Sequence, residues 1–178
     1  MFLYHIASFH YAYDNLLFLQ LEGGAHMKLG ELLNSKDFKY RVLVTARENQ
    51  TVSEAIRSLV EHDRGSLPVR DDNGEIVGII TERDIVRKCV AHGKDCAKIK
   101  VRDVMSKQVV IGTTEDDLSY AINVMKQHRI RHLPIVENQK LIGIISMRDL
   151  LGVQLEECKI QTRLLSDYIS GSYGQSET

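Results

Sequence analysis

The sequence predicts an α+β fold: two pseudo-symmetric βαββα repeats packed face to face through their sheets, with flanking terminal helices. Three observations predict it. First, the chain repeats itself. His62–Val69 (HDRGSLPV) aligns with His128–Ile135 (HRIRHLPI), and Gly78–Ile85 (GIITERDI) aligns with Gly143–Leu150 (GIISMRDL). Second, each copy alternates apolar residues at helical spacing with short β-branched runs. Third, a unit of roughly 60 residues buries little core by itself, and two copies packed face to face solve that problem.

The elements follow in chain order. Lys28–Leu33 (KLGELL) leads into the first copy as Lys100–Met105 (KVRDVM) leads into the second. Val42–Val44 and Val109–Ile111 read as the first short strands, and Thr51 and Thr114 lie in the N-cap region before a helix. Val52, Ala55, Ile56, Leu59 and Val60 form the apolar face of one helix. Leu118, Ala121, Ile122 and Met125 form that of its partner. The Leu-Pro-Val and Leu-Pro-Ile strands come next, then the turns Asp71–Gly74 and Glu137–Gln139, where the second copy is one residue shorter. Turns tolerate such deletions. Ile76–Ile80 and Leu141–Ile145 read as strands buried on both faces. The second helices start near Glu82 and Met147.

The organisation is therefore a 27–90 repeat, a 91–100 linker, a 101–154 repeat, and a 155–178 segment with a terminal helix and a disordered tail. Leu155, Ile160, Leu164, Leu165, Tyr168 and Ile169 give that helix a partly apolar face, which packs on the module or pairs two chains. Residues 170–178 read as disordered. Residues 1–26 form an aromatic-rich extension holding Phe2, Tyr4, Phe9, Tyr11, Tyr13 and Phe18. No Lys or Arg precedes Lys28, and His5, His10 and Asp14 break the apolar stretch, so it does not read as a secretory signal. It is either an amphipathic docking helix or a misassigned start. Glu22-Gly23-Gly24 is encodable by a purine-rich stretch like a bacterial ribosome-binding site, so Met27 is the expected true start.

Composition narrows the function classes. The 178 residues carry 23 basic and 24 acidic side chains, a net charge of −1. That balance gives no pull toward nucleic acid or an anionic membrane. No apolar run reaches the roughly 18–20 residues that span a bilayer. Cys89, Cys96 and Cys158 are too scattered for a disulfide framework or a zinc site, and read as reduced thiols of a cytoplasmic protein. Cys89 and Cys96 are expected to be buried or idle rather than a redox switch, since nothing in the sequence lowers their pKa. His62 and His128 fall at equivalent helix ends, where a capping role is expected rather than metal binding or catalysis. No nucleophile–base pair stands out.

The repeated Gly-x-x-Thr/Ser-x-x-Asp motif has its own chemical logic. A strand ends, a hydroxyl residue follows, and a helix begins. Free N–H groups there, with the hydroxyl of Thr81 or Ser146, suit a phosphate. Asp84 or Asp149, one turn on, can accept both hydroxyls of a ribose. Arg83 or Arg148 adds a cation. The same residues also make a capping box that needs no ligand.

These motifs, with the His-x-x-x-x-Leu-Pro block, resemble the CBS domain in its tandem form, the Bateman module. The resemblance covers about residues 28–152. It implies a stand-alone CBS-pair protein that binds an adenine nucleotide (AMP, ADP, ATP or an NAD-type dinucleotide) as regulatory ligand, with no required cofactor. It implies two sites that exchange parts between repeats. Site A joins Thr81, Arg83 and Asp84 to Val110, Ile130 and Arg131, with Ile130 on the adenine, Val110 backbone groups at its edge, and Arg131 and His132 toward phosphate. Site B joins Ser146, Arg148 and Asp149 to Val44, Arg64 and Gly65. Arg64 departs from the usual apolar residue and either stacks on a purine or obstructs the pocket, so site A is the better candidate. The resemblance further implies a homodimer that signals to a protein partner by conformational change. The alternative is an interaction module with degenerate pockets. Inosine monophosphate dehydrogenases carry a similar pair, but their catalytic barrel needs roughly 250 further residues, so the chain reads as a non-enzyme.

Overall fold

The repeated blocks become the same secondary structure twice. A computed structural model describes residues 27–172. The 1–26 extension, with both readings of it, and residues 173–178 of the tail lie outside the described residues. The chain opens with two short helices, α1 (Leu29–Asn34) and α2 (Lys36–Lys39). The first repeat is β1 (Ala46–Arg47), α3 (Val52–Glu61), β2 (Ser66–Arg70), β3 (Ile76–Thr81) and α4 (Glu82–Lys88). The second is β4 (Gly112–Thr113), α5 (Leu118–Gln127), β5 (His132–Glu137), β6 (Lys140–Ser146) and α6 (Met147–Ser172). Each sheet has three strands, ordered β1-β2-β3 and β4-β5-β6. In both, the first pairing is parallel and the second antiparallel. The register shifts at matching places, Val69/Arg70 and Ile135/Val136.

Five local expectations are corrected. The first strands lie at 46–47 and 112–113, downstream of the valine runs. In the parallel ladders Ala46 pairs with Val69 and Gly112 with Ile135. A Cβ on Gly112 would come within 3.0 Å of both Ile135 and Leu133. Val42 is left 69% exposed. Thr51 does cap α3 in a capping box with Glu54, but α5 is preceded by Asp117, not Thr114. Thr114 instead offers its carbonyl to the Gly30 N–H at 3.0 Å. The β-branched strands are buried on one face only. In β6, Leu141, Gly143 and Ile145 are buried while Ile142 and Ile144 look into the space between the sheets. Residues 170–172 continue α6 rather than starting a disordered tail, and Ser170 Oγ donates to the Ser166 carbonyl at 2.6 Å. The second helix of the second repeat and the terminal helix are one continuous α6.

The lead-in segments are exchanged. Leu29, Leu32 and Phe38 precede the first repeat but are buried in the second core, among Met125, Leu133 and Ile145. Val101, Val104 and Met105 precede the second repeat but are buried in the first core, among Val52, Leu67 and Ile80. Backbone bonds fix both crossings. Leu29 N–H donates to Asp116 O at 2.9 Å, and Val101 N–H donates to Gln50 O at 2.9 Å. The exchange explains the motif glycines. A Cβ on Gly78 would stand 2.5 Å from Met105 Sδ, and one on Gly143 would stand 2.8 Å from Leu33 Cδ2. Met105 and Leu33 are the equivalent last residues of the two lead-ins. Among the described residues, no helix is long and apolar enough to cross a membrane.

The two glycines differ in what surrounds them. Gly78 is also faced by the Ser106 carbonyl at 3.0 Å, which cannot turn aside, whereas Gly143 meets only the mobile end of Leu33. Gly78→Ala is expected to cost about 1–3 kcal/mol by overpacking, and Gly143→Ala less. Urea unfolding of the two variants checks the order.

Candidate functional site

Both copies of the motif place a helix N-terminus at the end of a central antiparallel pair. Thr81 ends β3 and caps α4, and Ser146 ends β6 immediately before α6. In each case the hydroxyl accepts from the acid's own N–H, at 3.1 Å for Asp84 and 3.2 Å for Asp149. The acid's Oδ2 in return accepts from the hydroxyl residue. Thr81 donates to Asp84 through N–H at 3.2 Å and Oγ1 at 2.6 Å. Ser146 donates to Asp149 through N–H at 2.8 Å and Oγ at 2.5 Å. The capping box anticipated from spacing is thus formed twice.

The second carboxylate oxygen is also held, differently in the two halves. Asp84 Oδ1 accepts from Ser106 Oγ at 3.1 Å and pairs with Lys88 Nζ at 2.7 Å. Asp149 Oδ1 pairs with Arg41 Nη1 at 2.9 Å, and the Arg41 guanidinium lies 3.8 Å over the Phe38 ring. Partial burial pushes Asp84 up, but the hydrogen bonds from Lys88 and Thr81 and the Lys88 charge outweigh it, so its carboxyl sits below its ordinary value. Burial likewise opposes ionisation of Asp149, and the Ser146 bonds and Arg41 reverse the sign.

All thirteen residues singled out from the sequence line one continuous cleft of about 1420 Å³ between the repeats. Thr81, Arg83 and Asp84 lie on its wall with Arg64 and Gly65, because the Gly65 carbonyl accepts from the Glu82 N–H at 3.3 Å. Ser146, Arg148 and Asp149 lie with Ile130 and Arg131, because the Arg131 carbonyl accepts from the Met147 N–H at 2.9 Å. The halves meet in the middle, where a Cβ on Gly65 would touch the His132 ring at 3.3 Å. Val44 packs partly on the first core, and Val110 and Ile130 partly on the second, while lining the cleft. Val44 and Val110 stand just outside their strands, and no hydrogen bond to their backbone is formed within the described residues.

Sequence reasoning missed Arg41, Lys88 and Ser106. Lys88 is legible in hindsight, four residues after Asp84 on one helix. Arg41 and Ser106 belong to the exchanged lead-ins, and only the crossing brings them to the acids. His62 and His128 are the C-cap residues of α3 and α5, as their spacing indicates. Among the described residues, no three His, Cys, Asp or Glu side chains are grouped to hold a metal ion.

A family model described as the CBS domain matches residues 36–91 and 101–156, together more than half of the chain. The chain belongs to the CBS-domain family. This CBS pair is 32% identical over 129 residues to the mitochondrial CBS domain-containing protein CBSX3 of Arabidopsis thaliana. That match covers 70% of the chain and 63% of CBSX3, so the chain spans less than two thirds of that relative's length. It superposes on the CBS-domain containing protein ATU1752 from Agrobacterium tumefaciens with a TM-score of 0.66 and 32% identity, covering 74% of this chain and 96% of that one. It superposes on the CBS domain pair of protein MJ0100, in complex with 5′-methylthioadenosine and S-adenosyl-L-methionine, with a TM-score of 0.65 and 25% identity, covering 75% and 99%.

His132 carries a pH dependence with a defined sign. Burial and then the Arg131 charge lower its pKa below the ordinary 6.5, and Asp149 and Glu82 only partly offset them. The folded protein thus binds that proton less readily than the unfolded chain. Stability from this group is full above pH 6.5 and falls as pH drops toward the lowered folded value. Urea unfolding as a function of pH is expected to show that slope, and His132→Asn to flatten it.

Proposed function

We propose that the cleft is a regulatory site for an adenine nucleotide: AMP, ADP, ATP or an NAD-type dinucleotide. One observation carries this reading. Two capped helix N-termini, each with its acid, share a single cleft with Arg41, Arg64, Arg83, Arg131 and Arg148. Helix N-termini and arginines suit phosphates, and paired acids suit ribose hydroxyls. The cleft exceeds the roughly 300–1,000 Å³ of a single small-molecule pocket, which leaves room for two mononucleotides or one dinucleotide. The 5′-methylthioadenosine and S-adenosyl-L-methionine in the MJ0100 complex support the adenosine part of this reading.

In this reading Ile130 packs on the adenine of site A, the Val110 backbone reads its edge, and Arg131 and His132 face phosphate. Site B uses Val44, Arg64 and Gly65 opposite Ser146, Arg148 and Asp149. Arg41 must turn from Asp149 toward phosphate before a ribose takes its place. The ligand bridges the repeats and favours one relative orientation, in proportion to its differential affinity for the two states. A protein partner reads the altered surface. The protein acts as a homodimer, consistent with the exposed Leu155, Leu164, Leu165 and Ile169 on α6. A second reading, an interaction module without nucleotide control, is favoured by the fact that both acids are already fully partnered.

Thermal unfolding of the full chain against AMP, ADP, ATP, NAD, NADH, S-adenosylmethionine and GTP separates the two. Ligand at 100 times its Kd adds about 2.7 kcal/mol, a midpoint rise of roughly 5–10 °C for a chain of this size. A selective rise that Asp84→Ala or Arg131→Ala abolishes supports the nucleotide site. A flat response across the panel overturns it in favour of the interaction module.

A further inference from the structure

Two of the three cysteines meet. Cys89 is the C-cap residue of α4 and is fully buried in the first core. Cys96 comes from the segment between the repeats and is partly buried against the same core. Their sulfurs lie 2.8 Å apart. Bonds that do not involve Cys96 sulfur hold the approach. The intervening chain turns back at Gly93 (φ 63°), and the Lys94 N–H donates to the Cys89 carbonyl at 3.1 Å. The Cys96 carbonyl accepts from the Ser53 N–H at 2.9 Å, in the first turn of α3. Both cysteine backbones are therefore anchored to separate helices, and both side chains are aimed at one point.

We infer that Cys89 and Cys96 form an oxidisable dithiol site that closes to an intramolecular disulfide on reaction with a small-molecule disulfide such as oxidised glutathione. The bond length required is about 2.05 Å, so the sulfurs need to close by less than an ångström. The two residues play different parts. Lys94, Asp95 and Ala97 around Cys96 are exposed, whereas Cys89 is sealed. Cys96 loses its proton to solvent, and its thiolate attacks one sulfur of the oxidant. A Cys96–glutathione bond forms, the oxidant's S–S bond breaks, and one glutathione thiolate leaves and is protonated. Cys89 then loses its proton and attacks the Cys96 sulfur, displacing the second glutathione as thiol. Two protons and two electrons have left the protein, and one disulfide has become two thiols. Burial, followed by the hydrogen bond with Cys96, pushes the Cys89 thiol up to about 11, so Cys96 rather than Cys89 makes the first attack. The new bond ties the end of α4 to the chain that meets the start of α3.

The test uses the full chain carrying Cys158→Ser, which removes the exposed third thiol. The folded protein is incubated with excess oxidised glutathione, quenched with an alkylating reagent in acid-stopped, denaturing conditions that expose every thiol, and weighed by mass spectrometry. Alkylatable thiols are expected to fall from two to none, with a loss of two hydrogens and no retained glutathione. Adding Cys89→Ala is expected to arrest the reaction as a glutathione adduct on Cys96. Adding Cys96→Ser, at a position less buried and less disruptive to change, is expected to leave one free thiol and no adduct. Two surviving thiols in the Cys158→Ser chain overturn the inference. So does a stable glutathione adduct on Cys96 while Cys89 is present.

Discussion

Each half of this protein is completed by residues that belong, in sequence, to the other half. Leu29, Leu32 and Phe38 fill the second core, and Val101, Val104 and Met105 fill the first. Neither repeat can bury its apolar surface fully without its neighbour's lead-in, so the two fold as one body. The exchange also sets the contact that the motif glycines accommodate, with Met105 on Gly78 and Leu33 on Gly143. The two central antiparallel pairs are held facing a common space, and the cleft exists because the halves are tied in this way.

The same crossing governs the electrostatics of the cleft. A capping acid would be satisfied on one oxygen by its own helix and would keep the other for solvent or ligand. Here the lead-ins reach that second oxygen. Ser106 arrives at Asp84 from the segment after Met105, and Arg41 arrives at Asp149 from the segment after Phe38. Asp84 also takes Lys88 from its own helix. The acids are kept ionised and oriented, but each has partners that a ribose would have to displace. The arginine partner of Asp149 is long and held along its length, by the Asp37 carbonyl at 3.0 Å and over the Phe38 ring. Ser106 is short and fixed by its backbone bridge to Ile79, so the two acids are held in different ways.

Much of the fold was legible because it is written twice. His-x-x-x-x-Leu-Pro and Gly-Ile-Ile-Thr/Ser-x-x-Asp each appear in both copies, and their order reproduces the βαββα succession. Apolar spacing in Val52–Leu59 and Leu118–Met125 gave the helices directly, since an amphipathic helix is a local pattern. The apolar runs at 42–44 and 109–111 have strand propensity, yet the ladders form at Ala46 and Gly112, and at Gly112 a Cβ would crowd Leu133 and Ile135. Thr114 resembles a cap but its carbonyl is spent on Gly30, a contact that no local spacing reveals.

The sequence by itself determined the duplication, the family resemblance, the two capped helix starts and the identity of their acids, because these depend on residues within a turn or two of each other. Only the tertiary structure decided which lead-in serves which core, that both halves open on a single cleft, that Arg41 and Ser106 reach the acids, and that Cys89 and Cys96 touch. Each of these is a meeting between segments brought together by a chain crossing or a folded-back linker. Such meetings are set by how the two cores share their apolar surface, and that is a property of the packed whole rather than of any stretch of the chain.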